Sequence, residues 1–378
     1  MLGGPRTIRR TYRYRLYPTA KQRRALEAQL AFACELYNAA LEQRRDLWRR
    51  CRILVRRAAQ YRELTDVRAA GLGPPGMSCH AMRDPLRRAD LAYAAFFRKL
   101  RAGENAGHPR FRSRRRYDSL TSDTWTLQNG RLHLKGVGHL KIRWHRPLPT
   151  DARISTVTVR RHSRHWYVGF ALEKEAPIPL PPTWTPVGVD LGITTFAALS
   201  TGETLSGPRA FRVARQRLRI AQRRVSRRMW DSNRRRKASI VVARLHERVH
   251  NVRRDHAFKL ANDLVRRFDV IYVEALNLVG LARGRNARDI HDQSWGAFLR
   301  ILTDKAEEAG RSVIALDPRH TSQTCSACGT HVPKRLEERW HRCSCGYAAD
   351  RDVNAARNLL RLGESLQTPT WPTGACVV

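Results

Sequence analysis

The chain has 378 residues, 42% of them hydrophobic, enough for two or three domains with sizeable cores. Its 72 Lys and Arg against 33 Asp and Glu give a formal charge of +39, which repels itself in a compact protein unless a polyanion neutralises it. The charge is spread along the chain rather than set in one amphipathic helix, which favours nucleic acid over a membrane surface, and no apolar run of roughly 18 residues is present to cross a bilayer.

The first element is a strand. In RTYRYRLY (10–17), Tyr12, Tyr14 and Leu16 face one way and Arg13 and Arg15 the other, and Pro18 ends the pattern. The opening residues carry charge but no apolar signal-peptide core, so a cytosolic protein is expected. Thr19 can cap a helix whose face runs through Leu26, Leu30, Ala33, Tyr37 and Leu41. Helical pattern continues to about 68, AGLGPPG (70–76) breaks it, and a further helix around 80–101 carries Leu91, Ala94, Phe96 and Phe97. GHPRFRSRRRYDS (107–119) reads as a basic loop.

From about 122 the period changes to two, and RLHLKGVGHLKIRWH and ISTVTVRRHSRHWYVGFALE predict strands joined by polar turns. The proline-rich PIPLPPTWTP (177–186) predicts a domain boundary. VGVDLGITTFAALST then reads as strand, turn at Gly192 and strand. Residues 211–266 are strongly helical, with faces through Leu218, Val225 and Met229, then Val241, Leu245 and Val249, then Leu260, Leu264 and Phe268. Between 209 and 254 stand 17 Lys and Arg against two acids, Asp231 and Glu247, a bias suited to a phosphate backbone. FDVIYVEALN is a short apolar strand ending at an acid, Ser294 is expected to cap the next helix, RSVIALDP is another strand, and DVNAARNLLRLG a last helix. The layout of this half is α/β, with acids at strand ends or a helix start.

Asp190 ends the strand VGVD and Glu274 ends IYVE. Both strands are nearly continuous apolar runs, as strands buried on both faces are. A carboxylate there is costly unless paired or bound to a cation, and strand ends of α/β sheets are where ligands sit. Asp352 opens the last helix, where an isolated Asp reads first as an N-cap, and Asp350 admits the same reading. Converging, Asp190, Glu274 and Asp352 could hold two Mg²⁺ or Mn²⁺ ions, since hard oxygen donors suit those metals and not zinc.

Eight cysteines in a chain this long make no disulfide scaffold. Cys34 reads as helix core, and Cys51, Cys79 and Cys376 are scattered. Cys325-x-x-Cys328 and Cys343-x-Cys345, with Gly329 and Gly346 beside them for tight turns, predict a closed, structural Zn²⁺ site; His341 is a spare ligand that four cysteines leave unneeded. HERVH (246–250) matches the H-E-x-x-H protease signature, but its helix is saturated with arginine and has no third ligand at a suitable spacing, so it reads as polar residues on a nucleic-acid-facing helix. There is no phosphate-binding glycine loop, and ATP use is not expected.

GVDLG (188–192), VEALN (273–277), the CSACG…CSCG ribbon and DRDVNAARNLLR (350–361) together resemble the RuvC-type nuclease domain of TnpB proteins, relatives of the type V CRISPR effectors. YRYRLYPTAKQRRALEAQLAFACELYNAAL, GHPRFRS and HERVHNVRRDHAFKLANDLVRRFDVI extend the resemblance to about 10–362. It implies an RNase H-like RuvC fold with an inserted zinc ribbon and an N-terminal β-barrel wedge interrupted by a helical recognition region. The implied bounds are 1–18 for the first wedge strand, 19–115 for the helical insertion and 116–182 for the wedge barrel. The RuvC domain takes 183–364, with the ribbon at 320–348, and a flexible tail 365–378. The implied activity is RNA-guided, metal-dependent cleavage of double-stranded DNA beside a short target-adjacent motif. Its partners would be a guide RNA from the transposon end and the target DNA, with the protein a monomer on its RNA. The family's acids fall on Asp190, Glu274 and Asp352, leaving Asp350 as a neighbour, and Ala275 departs from the Asp or Asn common after the glutamate. Two other activities use the same features: RNA-guided DNA binding without cleavage, and strand transfer in transposition.

Overall fold

The computed structural model describes residues 7–163, 165–281, 287–335 and 338–366. The chain divides between Ala176 and Pro177 into two compact units.

The first unit opens with strand β1 (Thr7–Tyr17), in which Ile8, Tyr14 and Leu16 are buried while Arg9 and Arg13 point to solvent. Helix α1 (Ala20–Cys51) starts at Thr19, whose hydroxyl accepts from the Gln22 amide (3.3 Å) while the Gln22 side chain accepts from the Thr19 amide (3.0 Å). Such a reciprocal cap contributes about 1 kcal/mol. Its buried face holds Leu26, Leu30, Ala33, Cys34, Tyr37 and Leu41, and the Cys34 thiol donates to the Arg112 carbonyl at 3.2 Å. Helices α2 (Arg57–Ala69) and α3 (Cys79–Arg101) follow, separated by the glycine-rich stretch. On α3 the core takes Ala81, Met82, Leu86, Ala89 and Phe96, whereas Leu91 and Phe97 lie exposed.

Six strands complete this unit: β2 (Ser119–Ser122), β3 (Trp125–Gln128), β4 (Arg131–Leu134), β5 (Gly138–Arg143), β6 (Arg153–His162) and β7 (His165–Glu175). They form one antiparallel sheet in the order β2-β6-β7-β1-β5-β4-β3. One core joins this sheet to the helices, with Tyr14, Tyr117, Leu132, Leu140 and Phe170 fully buried.

The second unit is built on strands β8 (Pro186–Asp190), β9 (Ala197–Leu199) and β10 (Thr204–Leu205). A hairpin of helices α4 (Ala210–Ser226) and α5 (Asn233–Arg267) comes next, then β11 (Val270–Glu274), α6 (Leu278–Leu281), α7 (Ala287–Gln293), α8 (Trp295–Ala309) and β12 (Ser312–Leu316). A small hairpin, β13 (Trp340–Arg342) with β14 (Ala348–Asp350), leads into α9 (Arg351–Leu366). The main sheet has the order β10-β9-β8-β11-β12; β8, β11 and β12 run parallel, and β9 is antiparallel to β8. Val187, Val189, Ile271 and Val273 pack against α5 and α8 through Leu260, Leu264, Phe298 and Leu302. Gly188 and Tyr272 alternate to the other side, where α9 lies. A Cβ on Gly188 would stand 1.9 Å from the Ala356 carbonyl oxygen, and one on Gly363 would stand 2.2 Å from the Tyr272 ring. Helix and sheet touch there backbone to backbone and backbone to ring.

Two acids hold the periphery. Asp292, buried on α7, accepts from the Phe211 and Arg212 amides at the start of α4 (2.8 and 3.0 Å) and pairs with Arg253 of α5. This distant carboxylate replaces the cap that Arg209 cannot supply. Asp269 accepts from the Thr183 amide and pairs with the buried Arg311, which also donates to the Pro181 carbonyl at 2.7 Å, fastening the proline-rich segment to the sheet edge.

Several expected details differ. Ser294 adopts a left-handed conformation (φ 57°) and offers α8 no side-chain cap; its hydroxyl donates to the His291 carbonyl and closes α7 instead. Met229 lies beyond α4 and is 81% exposed, and Val241 is exposed, because the outer part of the α4–α5 hairpin has no apolar partner among the described residues of its unit. Residues 365 and 366, expected in a loose tail, continue α9; the rest of that tail and Cys376 lie outside the described residues. Among the described residues no helix is long and apolar enough to cross a membrane.

Candidate functional site

The parallel register pairs Val189 with Val273, so Asp190 and Glu274 emerge side by side at the carboxyl ends of β8 and β11. Their carboxyl groups lie close enough to share a hydrogen bond when one of them is protonated. Burial pushes the Asp190 carboxyl well above its ordinary range, and the charges of Glu274 and Asp352 push it further; Arg339 opposes them. Burial likewise raises Glu274, as does the charge of Asp352, against the hydrogen bond from Asp190. The pair therefore binds its protons more tightly than separate carboxylates would. Asp352, on α9, lies near enough for its charge to act on both, with its Oδ2 held by Arg339; among the described residues only the four cysteines place three or more ligand atoms within 4.8 Å of one another.

The choice between Asp350 and Asp352 has a visible cause. Asp350 is the cap: its Oδ1 accepts from the Asp352 amide at 2.8 Å and the Val353 amide at 3.4 Å. Asp352, in the first turn, is thereby free of the capping role and turns its carboxylate toward the strands. Its Oδ2 accepts from Thr195 Oγ1 (3.2 Å) and from Arg339 Nη2 (2.6 Å).

Neither Thr195 nor Arg339 was singled out in the sequence. Arg339 is one of 72 basic residues, and nothing local marks it. It reaches Asp352 because β13 pairs with β14 with Trp340 opposite Asp350, and the Arg351 amide donates to the Arg339 carbonyl at 2.7 Å. The signal is in the hairpin register, which the spacing of the cysteines does not give.

The four cysteines also come together. Their Sγ atoms lie within 4.8 Å of one another, with Cys325–Cys345 at 3.8 Å and Cys328–Cys343 at 3.5 Å. Thiolates at about 2.3 Å from a tetrahedral zinc stand about 3.8 Å apart, so the spacing fits that ion. Each pair sits on a tight turn: the Gly329 amide donates to the Cys325 carbonyl and the Gly346 amide to the Cys343 carbonyl, and both glycines have positive φ (80° and 88°). Hydrogen bonds from Thr330 draw the Cys328 thiol down to about 6. The Tyr347 amide holds Cys345 down, but the neighbouring thiols push it up to about 12. Such crowding is resolved when a cation takes all four as thiolates. His341 is no fifth donor: it is fully buried and its Nδ1 meets Lys334 Nζ.

The cysteine turns are fastened to α9. The Ser326 amide donates to Asn354 Oδ1 (3.0 Å), and Asn354 and Asn358 donate to the Thr324 carbonyl (2.8 and 2.6 Å). His246 is exposed, and among the described residues neither it nor His250 joins a group of three metal-capable side chains.

Comparison with known proteins adds three family matches: "Helix-turn-helix domain" over 7–52, "Probable transposase" over 169–285 and "Cas12f1-like, TNB domain" over 295–359. The first segment folds here as a strand and one long helix. A provisionally named RNA-guided DNA endonuclease of Streptomyces pristinaespiralis is 37% identical over 94% of this chain and 90% of its own length. A second protein so named, InsQ of Escherichia coli K12, is 31% identical over 75% of this chain and 74% of its own. Among solved structures, a chain of the Cas12f1–sgRNA–target DNA complex shares the fold with a TM-score of 0.59 and 14% identity, covering 93% of this chain and 98% of that one.

Proposed function

The chain belongs to the TnpB family, and from that premise we propose that it is an RNA-guided DNA endonuclease that breaks both strands of guide-matched DNA beside a short adjacent motif. The observation that carries the reading is the placing of Asp190 and Glu274 at the ends of two adjacent parallel strands, with Asp352 at the start of α9 near enough for its charge to raise both. We read the second unit as an RNase H-like RuvC domain with its zinc ribbon inserted before α9. The first unit is then the wedge, with α1–α3 as the helical recognition region.

Three buried or half-buried oxygen-donor side chains that repel one another fit a hard divalent cation. Asp190, Glu274 and Asp352 would hold Mg²⁺ or Mn²⁺, which when bound supplies a water of lowered pKa and neutralises charge at the scissile phosphate. The chain's own contribution is placement. The β8–β11 register fixes two carboxylates, and the Asp350 cap and Thr195 aim the third. Arg339 balances Asp352 and sets its orientation. The guide would supply sequence specificity by base pairing, while the basic α4–α5 hairpin follows a phosphate backbone.

The reading is tested by purifying the protein with its co-expressed RNA, sequencing that RNA, and adding Mg²⁺ to a plasmid that carries the matching sequence. Linear product is expected only with the match. Strand-transfer products, or binding without cleavage, would overturn it.

Two variants probe the parts. Arg339→Ala should raise the Mg²⁺ needed for half-maximal cleavage about tenfold, as loss of an orienting partner does; an unmoved midpoint would remove Arg339 from the site. Cys325→Ser should lose the bound zinc, measured by elemental analysis, and lower cleavage too, because Asn354 and Asn358 tie the cysteine turns to the helix of Asp352. Unchanged zinc content would refute the ribbon.

A further inference from the structure

A cavity of about 900 Å³ opens in the first unit between the end of α1, the segment after it, α3 and the basic loop. This volume lies in the range of roughly 300–1,000 Å³ usual for ligand sites. Its apolar wall is aromatic: Tyr93 stacks on Phe97 (centroids 6.3 Å, 27° between planes) and Phe96 on His108 (4.5 Å, 26°), with Trp48 and Phe111 also lining it. Trp48 is 50% exposed, Phe97 43% and Phe111 51%. The helices commit large aromatic area to a surface that no described residue of the unit covers.

The charge around this wall has one sign. Arg44, Arg45, Arg49, Arg52 and Arg110 line the cavity, and no acid does. Arg44 is engaged by Asp90 and Gln60, and Arg52 lies over the Trp48 ring. Among the described residues Arg45, Arg49, Arg52 and Arg110 pair with no carboxylate. A second copy of this chain would bring five more arginines against these, and a neutral apolar ligand would leave them unmatched. An unpaired nucleic-acid strand matches both features, because each base has a π face and each linkage an anion.

We propose that this cavity binds unpaired nucleotides: bases stack on Trp48 and on the Tyr93–Phe97 wall, and the rim arginines hold the backbone phosphates. The inference deepens the nuclease reading and rests on it for the source of the strand, which is the guide or the opened target.

The test uses the full-length protein and short fluorescein-labelled single strands, as RNA and as DNA, at salt high enough to screen non-specific ionic binding. Trp48→Ala and Phe97→Ala, both at exposed positions, should each weaken binding about tenfold, in line with the loss of one stacked base. An abasic strand of the same length should bind wild type and Trp48→Ala equally. A preference for RNA assigns the cavity to the guide and a preference for DNA to the target; either supports it. The proposal is overturned if Trp48→Ala binds base-bearing strands as tightly as wild type. It is equally overturned if sedimentation shows wild type self-associating through this face and Trp48→Ala monomeric. Cleavage that survives loss of Asp190 would sink the nuclease reading and leave these binding results standing.

Discussion

Replacing Asp190 with asparagine should abolish DNA cleavage and at the same time stabilise the metal-free protein. The first effect follows from removing the carboxylate proposed to steady the cation: a loss of several kcal/mol, or about 10³-fold or more in rate, is expected. Guide binding should persist, since Asp190 is nearly buried and belongs to the sheet, not to a basic surface. The second effect follows from the like charges. Asp190 is raised by burial and by Glu274, so the folded state holds its proton more tightly than the unfolded chain does. Stability of the metal-free protein is therefore highest below the unfolded carboxyl pKa, near 4, and falls as pH rises through the interval up to the folded value. Asparagine does not titrate. The variant's advantage in stability should be absent at low pH, then grow with pH to on the order of 1–2 kcal/mol, the size usual for relieving an active-site conflict. Melting scans in chelator across pH measure this; equal curves at every pH would show that the carboxylates do not share one site. Added Mg²⁺ should stabilise the wild type more than the variant.

Adding one methyl group at Gly188 should also cost activity, by a different route. The Cβ of Gly188→Ala would meet the Ala356 carbonyl oxygen at 1.9 Å and the Leu360 amide nitrogen at 2.8 Å. Both are backbone atoms of α9, and no rotamer change relieves the clash. The helix must move off the sheet, taking Asp352 with it and opening the contact between Gly363 and Tyr272. A loss of about 3 kcal/mol of stability is expected, at the upper end for overpacking, with cleavage reduced at least tenfold even where the variant remains folded. Thermal melts and single-turnover cleavage check this. A stable, fully active Gly188→Ala would mean that α9 does not lie against β8 as described.

How much of this was legible depends on the range of each interaction. Thr19 and Gln22 cap α1 through contacts three residues apart, so the sequence pattern suffices. Tyr14 and Leu16 alternate with arginines because the strand has one wet face. Asp190 and Glu274 stood out because a charge at the end of an apolar strand is anomalous before any partner is known. Asp352 did not stand out on physical grounds, since the step that frees it, the Asp350 cap, is one of two equivalent local readings. Arg339 was invisible, because its role depends on a hairpin register and on a helix that follows it. Ser294 was misread because a serine before a helix is also a serine after one, and here α7 takes its hydroxyl. Leu91, Phe97, Met229 and Val241 carry the right spacing for core, but spacing says which residues share a face and not whether the unit covers it. On α3 that uncovered aromatic surface lines the cavity.

The position of α9 also sets a schedule for synthesis. Strands β8 and β11 leave the ribosome with Asp190 and Glu274 in place, but the third acid and the cysteine turns that brace it come later. The 78 residues from Glu274 to Asp352 take about 4–16 s to make at ordinary elongation rates. Through that interval the nascent chain already carries its basic helices, α4 and α5, which on the proposed reading can gather RNA, yet it holds an incomplete carboxylate set. On the proposed reading, a product truncated before α9 would bind nucleic acid and leave it uncut, so the helix that completes the carboxylate set would also delay its chemistry until the basic helices exist.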